Sequence, residues 1–363
     1  MLFKVRNSVD KKIYNSIDLT KFICAILIIT IHISPFGSNG ENSIISYLNF
    51  GIQDYIARIA VPFFFMASGF FLYRKTLLAD FDPELSKKYC IRIFQLYIIW
   101  TIIYSPLIIG RFFNDKQGLV HAILVFVRDT IFTGSYTQLW YLNGLIVAVI
   151  ITSVLLYKKV SLKKILLCAT ILYLIGLFAQ SWFGFIEPLK ELTPTLWSIL
   201  KLIEKVIVTT RDGVFLGFPF VSLGMCFAFF DIKISKKKSF VGLCISMVLL
   251  LFEVFLFQYI GFVHEHNMYL FLVPVTFFLF AFVKEVQLAD NAIYKTLRTL
   301  SSLIFFGHLW VGAVVGKLLS FISEGLGDSW LKFVISLIVT IIWAYIVMKL
   351  SERKKFKLLS YLY

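Results

Sequence analysis

Long apolar runs follow one another along this chain, with polar connections between them. Each run approaches 20 residues, the length that a helix needs to cross the hydrocarbon core of a bilayer. The runs are continuous and do not alternate residue by residue, which favours helices over the strands of a membrane barrel. We predict ten membrane-spanning helices, at about 16–36, 52–73, 89–110, 137–157, 162–183, 213–231, 238–262, 267–283, 297–321 and 329–350.

Two long connections contain helices of their own. Residues 111–136 include the short apolar run Leu119–Phe132, and residues 184–212 include a helix that begins at Thr193, with Pro194 at its first position. Both connections fall on the outer side, so we expect these two helices to lie in the outer membrane interface.

Composition agrees with an all-α polytopic membrane protein. The chain has 363 residues, of which 59% are hydrophobic and 16% charged, and this excludes a soluble globular protein. The net charge of +15 could suggest nucleic acid, but most loop Lys and Arg fall in alternate connections. Cytoplasmic loops collect such residues, so we predict cytoplasmic termini, with tails at about 1–15 and 351–363, the lipid bilayer as a partner and no nucleic acid. We treat residues 1–363 as a single membrane domain.

Lys21 and His32 are the most informative polar residues of the first predicted span. They stand eleven positions apart, so both side chains lie on one helix face, about 16 Å apart along the axis. A cation and a histidine inside a membrane helix are costly and mark a functional site by default. His32 lies near the outer end of the span, just before Ser34 and Pro35.

The second predicted span adds two candidates. Arg58 stands on its outer half, where it could serve the site or extend its guanidinium to the interface. Ser68 and Gly69 lie near the cytoplasmic end, where such pairs commonly allow close contact between helices.

A basic cluster surrounds the second cytoplasmic loop. It consists of Arg74, Lys75, Lys87, Lys88 and Arg92. These residues could set topology and bind anionic lipid, or they could hold the phosphates of a nucleotide-like donor. The sequence contains neither a P-loop nor a G-x-G-x-x-G motif, so a donor would bind through this cluster rather than through a glycine-rich loop.

Four residues of later spans are candidates for substrate contacts. Trp140 and Tyr141 begin the fourth span, where aromatic residues also form interface belts. Glu253 lies in the middle of the seventh span and needs a partner or a proton. His308 lies in the middle of the ninth span, where a site role and a buried structural role are equally expected.

Neither a metal centre nor a disulfide framework is predicted. The five Cys include no C-x-x-C pair, and they lie in or beside apolar spans. His264 and His266 flank Glu265 in a short turn, a spacing that does not match a helical metal motif.

The chain resembles the acyltransferase-3 family of integral membrane acyltransferases along nearly its whole length. The resemblance rests on the Lys21-to-His32 spacing, on Arg58 with the stretch from Val61 to Phe70 (VPFFFMASGF), and on Lys88 with Arg92. Leu139-Trp-Tyr-Leu142 and His308 add to it. The stretch His32-Ile-Ser-Pro-Phe36 is also similar to the membrane half of vancomycin-resistance serine racemases. Those proteins carry a pyridoxal-phosphate domain that this sequence lacks, so no racemase activity is expected.

The resemblance implies transfer of an acyl group, usually acetyl from acetyl-CoA, to a hydroxyl of a cell-surface carbohydrate, in the bacterial cytoplasmic membrane. Some relatives pass the group to a fused extracellular domain, which implies either action by the spans alone or a separate extracellular transferase as partner. Lys21 replaces the Arg of many relatives, so a bidentate contact is not available there.

The leading hypothesis assigns roles accordingly. His32 acts as general base or as covalent acyl carrier, and Lys21 and Arg58 orient charge. The donor phosphates lie against Arg92, Lys88, Lys87 and Arg74, near Ser68. Trp140, Tyr141, Glu253 and His308 contact substrate.

In the enzyme hypothesis, a passage joins the basic cluster to His32, where Arg58 descends to meet the histidine. The rival hypothesis is a carrier of a small solute or a flippase of a lipid-linked sugar. It explains the spans and the buried polar residues equally well, although no internal repeat supports it.

Overall fold

The computed structural model describes residues 13–37, 43–113, 118–230 and 232–363. Most of the predicted N-terminal tail, residues 1–12, lies outside these ranges. Within them the chain is helical, and Gly37 and Ser329 form an isolated β-bridge. The α-helices are α1 Asn15–His32, α2 Ser43–Phe50, α3 Ala60–Leu78, α4 Pro83–Phe113, α5 Leu119–Phe132, α6 Trp140–Tyr157, α7 Leu162–Leu177, α8 Phe183–Ile186, α9 Leu189–Leu192, α10 Pro194–Ile207, α11 Phe218–Phe229, α12 Lys236–Tyr259, α13 Leu272–Glu285, α14 Ala292–Ile322 and α15 Trp330–Ser351.

Seven helical stretches in the described part of the chain are long and apolar enough to cross a membrane. They are α1, the stretch Ile44–Leu78, α4, α6, α12, α14 and α15. The other three predicted spans coincide with shorter helices, α7, α11 and α13. A multi-pass helical membrane protein is therefore confirmed, while the count of ten and the cytoplasmic termini stay predictions.

The shorter helices have identifiable causes. The predicted span from 267 begins as a helix only at Leu272, because the amide groups of Leu270 and Phe271 donate to the Glu253 carboxylate. A π-helical segment, Gly213–Gly217, precedes α11, and the Asp212 carboxylate accepts hydrogen bonds from its first amides. Helices α5 and α10 occur where the two long connections predicted them, with Pro194 at the first turn of α10. Their place in the interface stays a prediction.

The second predicted span extends further than expected. Helix α2, a π-helical segment at Gly51–Ile56 and a 3₁₀ turn at Ala57–Ile59 continue directly into α3. Together they form an apolar stretch of 35 residues, Ile44–Leu78. A π-helical turn inserts an extra residue and redirects the side chains around it, which is common at functional sites.

The chain forms two compact units. The first comprises the residues up to Asp18, Pro62–Phe94 and Gly144–Asn291, and the second comprises Leu19–Val61, Gln95–Asn143 and Ala292–Tyr363. Aromatic rings fill the interior of the first unit. Phe280 lies 5.2–5.8 Å, between ring centroids, from Phe63, Phe70 and Phe227.

Two glycines bring α3 and α11 together within the first unit. A Cβ atom on Gly69 would overlap the carbonyl oxygen of Val221, and one on Gly224 would overlap that of Met66. Gly69 thus makes the close backbone contact that a small residue allows, while the predicted role of Ser68 near the donor stays a prediction.

In the second unit, α14 packs against α15. Side-chain donors fasten the surrounding segments to backbone carbonyls. Trp100 Nε1 donates to Leu362 O (3.1 Å), and Trp310 Nε1 donates to Ile103 O (3.0 Å). The C-terminal 3₁₀ segment Lys354–Leu362 is therefore held against α4.

We expect Gly224→Ala to destabilise the protein, because the added Cβ meets backbone that cannot move aside as a side chain could. Overpacking of this kind costs about 1–3 kcal/mol. Thermal unfolding of the purified protein in detergent measures the effect. Gly110→Ala is the matched control, since its Cβ meets nothing within 4 Å. Equal melting temperatures for the two variants would contradict the close contact between α3 and α11.

Candidate functional site

His32 is the last residue of α1 and is half-buried. Lys21 lies on the same continuous helix, which agrees with the predicted spacing, and is also half-buried. The helix ends after His32 because Pro35 cannot continue it and restrains the residue before it. The imidazole thus lies where the chain turns from the helix into a loop.

The loop after His32 is held by neighbouring segments of the second unit. The Asn49 side chain donates to Gly37 O (2.8 Å) and accepts from Phe36 N (3.2 Å). Gly37 has a φ of +76°, and a Cβ there would lie 2.7 Å from Asp328 O. Only glycine meets both conditions, so the loop passes directly against the segment before α15.

A small polar recess lies beside His32. Its volume is about 90 Å³, and its walls are His32, Ile33, Ser34, Asp328, Ser329 and Lys332. Lys332 Nζ lies 3.3 Å from Asp328 Oδ1. Ligand pockets usually measure about 300–1,000 Å³, so the recess suits a small polar group, such as a hydroxyl, rather than a whole sugar.

The π-helical segment holds the other side of the helix end. Gln53 Nε2 donates to Thr30 O (2.7 Å) and to Ser34 Oγ (3.2 Å), on either side of His32 in sequence. Arg58 forms an ion pair with Asp54, and its Nε lies 3.1 Å from Asp54 Oδ1. Both side chains are largely buried, at 17% and 15% exposure. Arg58 is therefore largely buried and paired with Asp54, the residue that follows Gln53; its role at the site stays a prediction.

His308 contacts His32 from α14. The ring centroids lie 5.3 Å apart, with the planes tilted by 32°. The His308 side chain is fully buried, and its Nδ1 lies 3.1 Å from Ile304 O and 2.9 Å from Phe305 O. Because carbonyl oxygens only accept, Nδ1 must carry the proton and donate to them.

Gln138 and Tyr104 lie beside the same turn of α14, and sequence reasoning did not propose either as a site residue. Both side chains donate to Phe306 O, at 3.1 Å from Gln138 Nε2 and 2.6 Å from the Tyr104 hydroxyl. Both are buried. A glutamine at the start of a predicted span was the available signal, because a buried amide needs partners.

Trp140 and Tyr141 are buried in the second unit, at 8% and 7% exposure. The Tyr141 ring packs edge-on against Phe305, with centroids 5.2 Å apart. Their predicted contact with a sugar stays a prediction. Tyr141 therefore packs against Phe305, the residue whose carbonyl oxygen accepts a hydrogen bond from His308.

The predicted donor-binding residues belong to the first unit. Lys88 and Arg92 are exposed, and Lys87 pairs with Glu84 at 3.2 Å. The Arg74 guanidinium lies over the Tyr14 ring, 4.8 Å from its centroid. Ser68 hydrogen-bonds Tyr89, whose hydroxyl also interacts electrostatically with Arg92. Ser68 and Arg92 thus approach a common residue, and their part in donor binding stays a prediction.

Glu253 makes structural contacts in the first unit. Its carboxylate accepts from Trp182 Nε1 (3.1 Å), Leu270 N (2.8 Å) and Phe271 N (2.9 Å), and the residue is 4% exposed. The carboxylate thereby caps the start of α13 and anchors α8. These donors are the partners that the sequence required; a contact with substrate stays a prediction.

A second polar network surrounds the turn that contains Glu265. Its carboxylate accepts from Gln180 Nε2 (2.9 Å), Thr209 Oγ1 (2.9 Å) and Asn267 Nδ2 (3.0 Å). His266 Nδ1 lies 2.7 Å from the Tyr269 hydroxyl. In the described ranges, no group of three His, Cys, Asp or Glu side chains is arranged to hold a metal ion.

Comparison with known proteins places the chain in a family. The sequence model of the "Acyltransferase domain" family, acyltransferase-3, matches residues 14–349. The chain therefore belongs to the acyltransferase-3 family.

Among curated proteins, the chain is 28% identical over 347 residues to an "Amino-acid racemase" of Enterococcus faecalis, covering 93% of this chain and 46% of that protein. It is 30% identical over 271 residues to a "Serine/alanine racemase" of Enterococcus gallinarum, covering 74% of this chain and 36% of that protein. The chain thus spans less than half the length of these relatives. No solved structure matches it.

We expect Glu253→Gln to destabilise the first unit, because an amide presents one oxygen and one donor group to three donors. A buried donor left without an acceptor costs about 1–3 kcal/mol. Thermal unfolding in detergent measures the loss. Glu352→Gln is the control, since Glu352 is exposed and pairs with Lys349 at the C-terminal end of α15. A Glu253→Gln variant as stable as Glu352→Gln would show that the carboxylate does not anchor the turn before α13.

Proposed function

We propose that this chain is a membrane O-acyltransferase that moves an acetyl group from acetyl-CoA to a hydroxyl of a cell-surface carbohydrate. The observation that carries the proposal is the position of His32, an imidazole at a helix end beside a polar recess, in a member of an acyltransferase family. A general base with a nearby space for a hydroxyl is the minimum that acyl transfer to an alcohol needs.

The proposed reaction uses His32 as general base. Its unprotonated nitrogen takes the proton of the acceptor hydroxyl while the oxygen bonds to the thioester carbon. The carbon–sulfur bond then breaks, and the thiolate of CoA takes the proton from His32. A covalent acyl-histidine remains the alternative, in which the same nitrogen attacks the thioester first. Either route leaves an ester and free CoA.

Cationic residues orient the reactants in this proposal. Lys21 and Arg58 supply the positive charge. Arg58 is paired with Asp54, so this ion pair holds the guanidinium in place. Donor phosphates bind Arg92 and the neighbouring basic residues Lys88, Lys87 and Arg74.

In this proposal the acyl group passes from a donor on one side of the membrane to an acceptor on the other. A separate extracellular transferase could complete delivery to the final carbohydrate. The cell membrane is the expected location, because both the donor on one side and the acceptor on the other must be reached.

A carrier of a small solute is the second candidate. The recess beside His32 contains a carboxylate and an ammonium group, Asp328 and Lys332, which could bind a zwitterion. The named activities of the relatives concern amino acids. Uptake of labelled serine or alanine by vesicles that contain the protein, without acetyl-CoA, would support the carrier.

We expect His32→Ala to abolish acyl transfer, because the variant lacks the imidazole that takes the hydroxyl proton in the proposed reaction. Vesicles with the purified protein receive acetyl-CoA carrying a labelled acetyl group on one side and a cell-envelope fraction on the other. Label in the fraction is counted. His121→Ala, outside the proposed site, is the control. Unchanged label transfer by His32→Ala would reject the assignment of His32.

We expect Arg92→Ala to weaken acetyl-CoA binding about 10–150-fold, because it removes a charge-assisted contact with phosphate worth about 1.5–3 kcal/mol. Binding of a non-hydrolysable CoA analogue to the protein in detergent is measured by calorimetry. The control is Lys237→Ala, another exposed basic residue on the same predicted side. Equal losses in both variants would mean that only the general positive charge matters, as in lipid binding.

A further inference from the structure

The Nε2 atom of His308 is buried without a partner. The residue has no exposed surface, and among the described residues no atom hydrogen-bonds to Nε2. A buried polar atom left in this state costs about 1–3 kcal/mol. Such a cost persists where the atom has a use that the resting state does not show.

The state of that atom follows from the other ring nitrogen. Nδ1 donates to the carbonyls of Ile304 and Phe305, so a neutral ring carries its lone pair on Nε2. The backbone of α14 therefore fixes the tautomer of His308. The Nε2 atom of His308 is therefore a hydrogen-bond acceptor, and the His308 ring contacts the ring of His32.

A histidine that acts as general base also needs a fixed tautomer. His32 can take a proton from a hydroxyl only through a nitrogen that bears a lone pair, which leaves its other nitrogen as an N–H donor. In hydrolases with a catalytic triad, a buried acceptor holds that N–H and stabilises the imidazolium that forms. A neutral imidazole can accept the same hydrogen bond.

We propose that His308 is a positioning residue for His32: its Nε2 accepts the hydrogen bond of the His32 N–H and so fixes which His32 nitrogen serves as base. This rests on the proposed function. The proton taken from the acceptor hydroxyl stays on His32 and passes to the leaving thiolate, while His308 keeps its own proton on Nδ1 throughout.

The geometry allows this with movement of one ring only. A centroid separation of 5.3 Å places the two imidazoles in contact, and the terminal torsion of histidine is broad. His308 is held by two carbonyls, whereas His32 is half-buried at a helix end. Rotation of the His32 ring is therefore the step that forms the hydrogen bond.

Two substitutions distinguish the roles of the two ring nitrogens of His308. The amide of His308→Asn can occupy the place of Nδ1 but has no atom at Nε2. The amide oxygen of His308→Gln can occupy the place of Nε2. Both variants remove the ring, so a merely structural loss would affect them alike.

The direct test is nitrogen NMR of the full chain in detergent, labelled at the histidine ring nitrogens. His32→Gln and His308→Gln assign the signals, and His264→Gln is the control. We expect His308 to show a protonated Nδ1, and His32 to change from one tautomer to a mixture in His308→Asn but not in His264→Gln. A His32 signal unchanged by His308→Asn, or a His308 protonated at Nε2, would overturn the proposal.

Kinetics supply the second readout. Loss of a group that orients a catalytic residue typically costs about 10–100-fold. We expect this loss in kcat for His308→Asn with KM for acetyl-CoA unchanged, and less than tenfold for His308→Gln. Equal losses in both variants would count against an acceptor role. If the wild type transfers no acyl group, the proposed function fails, but the NMR result still decides whether His308 sets the tautomer of His32.

Discussion

Polar groups inside apolar helices must find their partners within the protein, because the bilayer core offers no water. The structure satisfies most of them through its own backbone. Thr76, Thr152 and Thr276 each donate to the carbonyl four residues earlier. The Tyr173 hydroxyl donates to Tyr269 O at 2.7 Å. His308 Nε2 is one of several buried side-chain atoms of the described residues without a hydrogen-bond partner, and it is the histidine nitrogen among them. A catalytic role is one explanation for such an atom.

The same requirement shapes the end of α1. The carbonyl of Thr30 is bound by Gln53, a side chain of the π-helical segment. Asn49 binds Gly37, and Gly37 in turn meets Ser329. Three separate parts of the second unit thus fix the place at which the helix stops. Precise placement of a base is what catalysis needs, since small displacements cost large factors in rate.

The sequence alone predicted the elements of the site but not its connections. The eleven-residue spacing placed Lys21 and His32 on one helix, and each of the ten spans predicted from hydropathy coincides with a described helix. No single-sequence pattern could show that α14 brings His308 to His32, because contacts between distant helices leave no trace in periodicity. The small size of the recess, and the part of Asp328 and Lys332 in it, depend on a connecting loop that hydropathy does not describe.

The structure shows partners for two predicted site residues, Arg58 and Glu253, that the sequence did not identify. Arg58 was expected to bring charge to His32, yet Asp54 on the same helical stretch already balances it. Glu253 was expected to need a partner, and three donors supply it. Glu253 therefore holds the backbone before α13 in place, and Arg58 is held by its own ion pair.

The enzyme and carrier hypotheses differ in which polar groups must stay available to bind another molecule or a proton. A carrier must present a site whose polar groups bind a solute and release it again, as the ion pair of Asp328 and Lys332 could. An acyltransferase needs a base whose lone pair is kept available. His308 donates through Nδ1 to two carbonyls, which leaves the lone pair of its Nε2 beside His32. In the proposed enzyme that lone pair accepts the N–H of the base, which is a requirement of proton transfer and not of transport.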